Sequence, residues 1–204
     1  MINSVDPAYL AVTNIINWQH PKILRLAKEL AQGHDTPEKI AKACFEWVRD
    51  EIKHSCDYQM NPVTCIASDV LEYGTGYCYA KSHLLAALLR ANHIPAGFCY
   101  QRLSLFDNGA PYCLHGLNSL YLPEYGWYRV DARGNKPGVD AQFAPPQEKL
   151  AFALNFSEEI DCPEIFAEPL AVVIESLQRS QCWDLLLDNL PDLDASFFTK
   201  FSTK

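Results

Sequence analysis

No stretch of this 204-residue chain approaches the roughly 20 consecutive apolar residues of a membrane-spanning helix, so no membrane partner is expected. Basic residues are in deficit, 17 Lys and Arg against 25 Asp and Glu, and the formal net charge of -8 argues against a nucleic-acid partner. The first ten residues carry Asp6 but neither a basic cluster nor an apolar run. A secretory signal is therefore not expected, and the expected location is the cytoplasm. C-x-x-C is missing, as is any zinc-finger spacing of Cys and His. His54 with Cys56 and Cys113 with His115 come nearest to chelating pairs, so neither a metal nor another cofactor is expected. Internal repeats and low-complexity segments are also lacking.

What is present is ordinary for a soluble globular chain: 49% apolar and 21% charged residues. The length suits one domain over residues 1–204 with a substantial core. Eight cysteines would read as a disulfide framework in a small secreted protein. Here they are scattered through a mid-sized chain with no export signal, and reduced thiols are the better reading.

Apolar spacing predicts helices at the start. Residues 21–31 place Ile23, Leu24, Leu26, Ala27 and Leu30 on one broad face. Gly33-His34-Asp35 breaks the chain, and Thr36-Pro37-Glu38 restarts it with an N-cap, a proline at the first position and an acidic first turn. The pattern Ile40, Cys44, Trp47, Val48, Ile52 carries this helix to about residue 53. Residues 54–66 read as an irregular connection and 68–73 as a short helix. A long helix from Cys78 ends before Pro95, since proline disfavours the α conformation in the residue before it. Strands follow at 96–105, 114–122 and 127–130, then an irregular Pro- and Gly-bearing arm at 136–150 and a last helix at 169–179. Helices followed by a run of strands predict an α+β fold, with helices against an antiparallel sheet. The tail, with Leu185-Leu186-Leu187 and Phe197, Phe198 and Phe201, must dock on this domain or on a partner; a homodimer contact is one option.

Cys78 stands apart from the other thiols. It follows the turn-forming Gly74-Thr75-Gly76-Tyr77 and opens the helical pattern Ala80, Leu84, Leu85, Ala87, Leu88, Ala91. A thiol in the first turn of a helix lies among unpaired backbone N–H groups and the positive end of the helix dipole, which favour the nucleophilic thiolate. The glycines permit close backbone approach. Most cysteines are small core hydrophobes, and the other seven are read that way.

Downstream, His115 is the candidate general base and then general acid. Asp131 is the candidate for holding its imidazole in one tautomer. A hairpin with its loop at residues 123–126 sets Leu122 against Trp127 and Asp131 against Asn118. That puts His115 three residues off and on the other face, so a bulge would be needed to join the pair. For an oxyanion, the N–H of Cys78 is one candidate donor, with Tyr58, Gln59 or Asn61 for the second. Asn118 is a further polar group near His115, read first as a strand polar residue. Tyr77, Tyr79, Tyr100, Tyr112 and Trp127 either line a cleft or pack the core, and packing is the default.

Three separated stretches together resemble the transglutaminase-like superfamily of cysteine enzymes. They are Thr36-Pro37-Glu38-Lys39 with residues 45–52; residues 67–71 with Gly74-Thr75-Gly76-Tyr77-Cys78, Leu88-Leu89-Arg90-Ala91 and Ile94-Pro95-Ala96; and His115-Gly116-Leu117-Asn118 through residues 126–131. The resemblance spans residues 36 to 132. It implies a papain-like core whose nucleophile helix packs against an antiparallel sheet, with a Cys-His-Asp triad carried by Cys78, His115 and Asp131. On that reading residues 1–35 are a helical extension, 36–135 the catalytic core and 136–204 an arm with helices. The resemblance also implies an acyl-enzyme mechanism on a peptide, protein or small amide substrate. The chain is too short for the large β domains of the calcium-dependent cross-linking members and shows no EF-hand-like carboxylate run. Its size looks more like the bacterial and archaeal members. The expected activity is that of a cysteine peptidase or amidase. Transfer of the acyl group to an amine uses the same triad and stays open, as does a non-catalytic binding module on the same fold.

Overall fold

The computed structural model describes residues 5–106 and 109–201. Helix α1 (Pro21–Ala31) and helix α2 (Pro37–Glu51) form where the apolar spacing places them. The Thr36 hydroxyl accepts from the Lys39 N–H at 3.3 Å, the cap read from sequence. The segment expected to be irregular contains a two-residue strand, β1 (Lys53–His54), and a single helical turn, α3 (Ser55–Tyr58). Helix α4 (Ala67–Tyr73) leads into β2 (Thr75–Gly76), which pairs in parallel with β1 so that His54 lies level with Gly76.

The central helix is α5 (Cys78–Ala91), and every residue from Cys78 to Arg90 is buried. It contacts α1, α2 and α4, and also strands of the main sheet. A helix enclosed on all sides needs apolar residues around its whole circumference, and Leu84, Leu85, Leu88 and Leu89 are fully enclosed. Burying each such leucine contributes roughly 1.5–3 kcal/mol. Polar side chains survive in this helix because each binds backbone carbonyls. Lys81 Nζ donates to Ile52 O and, at 3.2 Å, to Arg49 O, which terminates α2. Arg90 donates to Ala11 O, Ala96 O and Ala167 O at 2.5–3.2 Å. His83 Nδ1 lies 2.7 Å from Cys65 O.

The main sheet comprises β3 (Ala96–Ser104), β4 (Tyr112–Leu122), β5 (Gly126–Val130) and a short β8 (Ile160–Asp161) in the order β5-β4-β3-β8, all antiparallel. This is the expected α+β architecture. The arm is less irregular than its prolines implied: β6 (Gln142–Ala144) and β7 (Gln147–Lys149) form a hairpin, and the Tyr128 hydroxyl of β5 bonds to both strands at its turn. Helix α6 (Ala171–Arg179) forms as expected and is followed by α7 (Trp183–Leu187) and α8 (Ala195–Thr199). The tail docks on its own chain. Phe197 and Phe201 gather around Phe166, and Phe198 is buried. No helix is long and apolar enough to cross a membrane among the described residues.

Two glycines bring α5 close to its neighbours. A Cβ at Gly76 would lie 3.0 Å from Ala80 Cβ and 3.2 Å from Thr64 Oγ1. A Cβ at Gly116 would lie 2.9 Å from Tyr79 Cδ1 and 3.4 Å from the Tyr79 Cα. Gly116 therefore lets the first turn of α5 settle on β4 immediately beside His115.

Candidate active site

Cys78 is the first residue of α5, and its N–H belongs to the set that has no intrahelical partner. It is 7% exposed and opens into a cleft of about 820 Å3 that His115 also lines. The two side chains lie close enough for the Cys78 sulfur to act electrostatically on the ring. On the other side of the ring, His115 Nε2 lies 2.7 Å from Asp131 Oδ2. With Nε2 committed to the carboxylate, Nδ1 is the nitrogen left for the thiol. The three side chains read from sequence thus converge in one site.

The pair forms without the bulge that the sequence argument required. The turn is one residue shorter than expected: Leu122 pairs with Gly126, Tyr121 with Trp127 and Asn118 with Val130. Tyr125 N–H closes the turn on Leu122 O at 3.0 Å. Continuing that register sets Asp131 against Leu117, two residues from His115 and on its face. Because side chains alternate with period two, one residue of slip decides whether the pair can meet.

Asp131 is fully buried and its lone pairs are well used. Oδ1 accepts from Arg133 N–H at 3.2 Å, and Oδ2 accepts from Ala151 N–H at 3.1 Å as well as from the imidazole. Burial works to raise the Asp131 pKa, but the His115 charge and these donors bring it below the usual carboxylate value. For His115, burial works to lower the pKa, while the Asp131 and Cys78 charges and the Asp131 hydrogen bond carry it up to about 10. Phe152 sets its ring edge-on to His115, with centroids 5.0 Å apart, and covers the pair on one side.

That elevation has a measurable consequence. A group whose folded pKa is raised stabilises the fold fully below its unfolded value, near 6.5, and loses that contribution as pH rises through the folded one. The Tm advantage of the wild type over His115→Gln should therefore be largest near pH 6 and shrink steadily toward pH 10. An advantage that grows across this range would contradict the charge state assigned to the ring.

The proposed second oxyanion donors do not reach the cleft. Tyr58 is 57% exposed, and Asn61 Oδ1 instead accepts from Trp183 N–H at 2.9 Å, anchoring α7. Gln59 is exposed and ends α3 in the left-handed region, at φ 53°. Asn118 is structural: its Nδ2 donates to Ser82 O and Gly97 O, tying α5 to the sheet. Of the aromatic candidates Tyr77 and Tyr79 line the cleft, whereas Tyr100 is core and Trp127 packs edge-on against Tyr9 and Tyr121.

Several cleft residues were not read from the sequence as part of this site. His54 is one, buried beside the turn that precedes Cys78. Another is a charge cluster in which Asp57 accepts from Arg133 at 2.5 and 3.0 Å and from Lys136 at 2.7 Å. Leu187 and Leu190 of the tail supply apolar lining on a further wall. Chain separation hides these contacts, since Asp57 and Arg133 are 76 residues apart.

The same features tie the chain to known proteins. A family model described as the transglutaminase-like superfamily matches residues 24–132, more than half of the chain. Among solved structures, a candidate cysteine protease from Cytophaga hutchinsonii superposes with a TM-score of 0.52 at 21% identity, covering 65% of this chain and 44% of that one. The periplasmic domain of TgpA from Pseudomonas aeruginosa gives a TM-score of 0.46 at 26% identity, over 63% of this chain and 48% of that one. The chain matches half or less of the length of these structures. No curated protein matches it. A helix that opens on a cysteine, a histidine on the neighbouring strand and a family match across both place this chain in the transglutaminase-like superfamily.

Proposed function

We propose that the protein is a cysteine hydrolase that cleaves an amide or peptide bond through a thioester intermediate, with Cys78, His115 and Asp131 as its triad. The observation that carries this reading is that Cys78 and His115 line one cleft while His115 is hydrogen-bonded at 2.7 Å to a fully buried Asp131. Superfamily members are typically cysteine enzymes, which supports the general class.

In this mechanism the Cys78 thiolate attacks the carbonyl carbon, a C–S bond forms, and the carbonyl electron pair moves to oxygen. The His115 imidazolium gives its proton to the leaving nitrogen as the C–N bond breaks. Water then attacks the thioester while His115 takes its proton, releasing the acid and the thiol. Asp131 keeps Nε2 protonated and steadies the imidazolium throughout.

Transfer to an amine would differ only in what resolves the thioester. Incubating the protein with a glutamine-containing peptide, with and without a primary amine, separates the two. Release of ammonia with glutamate formation, unaffected by the amine, is the expected result. Incorporation of the amine would replace hydrolysis by acyl transfer.

A further inference from the structure

The site as drawn offers a developing oxyanion one obvious donor, the N–H of Cys78, and one donor alone is a weak oxyanion hole. His54, read from the sequence only as a weak chelating partner of Cys56, lines the cleft that holds Cys78 and His115. Its position is closely set. β1 pairs with β2 so that His54 is level with Gly76, two residues before the nucleophile. Lys53 N–H bonds to Gly74 O at 2.9 Å, and the Ser55 and Thr75 hydroxyls meet at 3.0 Å, which locks β1 and α3 to the glycine turn. The imidazole also stands edge-on to Tyr77, with ring centroids 5.3 Å apart.

The two ring nitrogens of His54 are in different situations. Nδ1 is sealed from solvent and has no hydrogen-bond partner. The closest carboxylate oxygen, Asp57 Oδ2, is 3.8 Å away, beyond hydrogen-bond reach, and Asp57 is held by Arg133 and Lys136. An orphaned buried N–H is rarer than an under-used acceptor, so the proton belongs on Nε2 and the bare lone pair on Nδ1. Nε2 is not among the sealed, unpartnered atoms, and the residue, 7% exposed, lines the Cys78 cleft as well as a smaller pocket beside Lys53 and Asp57. Burial, followed by the Arg133 charge, holds the His54 pKa well below the usual value, so the ring is a neutral donor at neutral pH.

We propose that His54 is a catalytic residue whose Nε2–H, together with the backbone N–H of Cys78, holds the oxyanion of the tetrahedral intermediate. This rests on the acyl-enzyme reading above. The ring is held by backbone pairing on one side and Tyr77 on the other, so it donates without reorganising as negative charge appears.

The test compares two reactions of the same sulfur. Acylation by p-nitrophenyl acetate passes through a tetrahedral oxyanion, whereas alkylation by iodoacetamide does not. His54→Phe keeps a ring against Tyr77 but removes the donor. Its acylation burst, followed by nitrophenolate release, should slow about 10²–10³-fold. Alkylation of Cys78, mapped by mass spectrometry, should stay within about threefold of wild type, because the thiolate itself is untouched. His54→Gln, which restores an N–H donor, should recover part of the loss.

Wild-type acylation by His54→Phe would overturn the proposal. So would a parallel fall of acylation, alkylation and Tm, since that marks a structural role. A wild-type protein alkylated at Cys78 yet never acylated by the ester would sink the acyl-enzyme reading itself, and this inference with it.

Discussion

Cys78→Ala should reduce amide turnover by about 10⁶-fold, to background, while the protein unfolds in the same cooperative transition as wild type. The magnitude follows from the lack of a substitute nucleophile among the described thiols. Cys44, Cys65, Cys99 and Cys113 are pushed up to about 12, chiefly by burial, and so stay protonated at neutral pH. Cys113 shares the cleft but sits on β4, whereas Cys78 opens helix α5. Cys56 and Cys182 are partly exposed, but their pKa values are also raised. The fold should survive because the substitution removes one sulfur atom at the cleft edge and puts a better helix former in the first turn of α5. Iodoacetamide labelling with peptide mapping supplies the second readout: the fast-labelling site of the wild type should be Cys78 and should vanish in the mutant. Equal turnover by the mutant would remove Cys78 from the mechanism.

Asp131→Asn should cost about 10⁴-fold in kcat with the overall structure preserved. The carboxylate accepts from three N–H groups: His115 Nε2, Arg133 N and Ala151 N. An amide has only one acceptor oxygen and brings two donors of its own. If its NH2 group takes the place of Oδ2, it faces both His115 and the Ala151 N–H; Nε2 must then become an acceptor and the proton moves to Nδ1, on the thiol side. The ring can then no longer take the thiol proton. If the NH2 group takes the place of Oδ1, it faces the Arg133 N–H instead; in either orientation a buried donor meets a buried backbone donor, which costs about 1–3 kcal/mol of stability. Steady-state kinetics on an amide substrate and urea unfolding measure the two effects separately. A mutant with wild-type kcat would exclude any role for the carboxylate in orienting His115.

The gap between sequence and structure is clearest in the β4–β5 hairpin. The apolar and aromatic pattern placed both strands within two residues of their observed ends. It could not settle whether the connection held four residues or three, because Pro123-Glu124-Tyr125-Gly126 suits either. That single residue sets the register, and the register sets whether Asp131 shares a face with His115.

The arm shows a different limit. Ala151 contributes a backbone N–H to Asp131, and a backbone group leaves no mark in the side-chain pattern. Phe152, which shields the imidazole, reads in the sequence as one more apolar residue near a proline-rich stretch.

By itself the sequence determined the local order of the fold: the caps and apolar periods of α1 and α2, the thiol at the start of α5, and the change from helices to strands after Pro95. These are short-range consequences of backbone sterics and side-chain spacing, so they can be read within a window of a dozen residues. The tertiary structure alone decided which groups share the cleft. Asp57 meets Arg133, Ala151 meets Asp131, and His54 comes beside the glycine turn through a parallel pairing of two-residue strands. Such contacts depend on the packing of the whole core around α5, and side chains far apart along the chain carry no local signal of it.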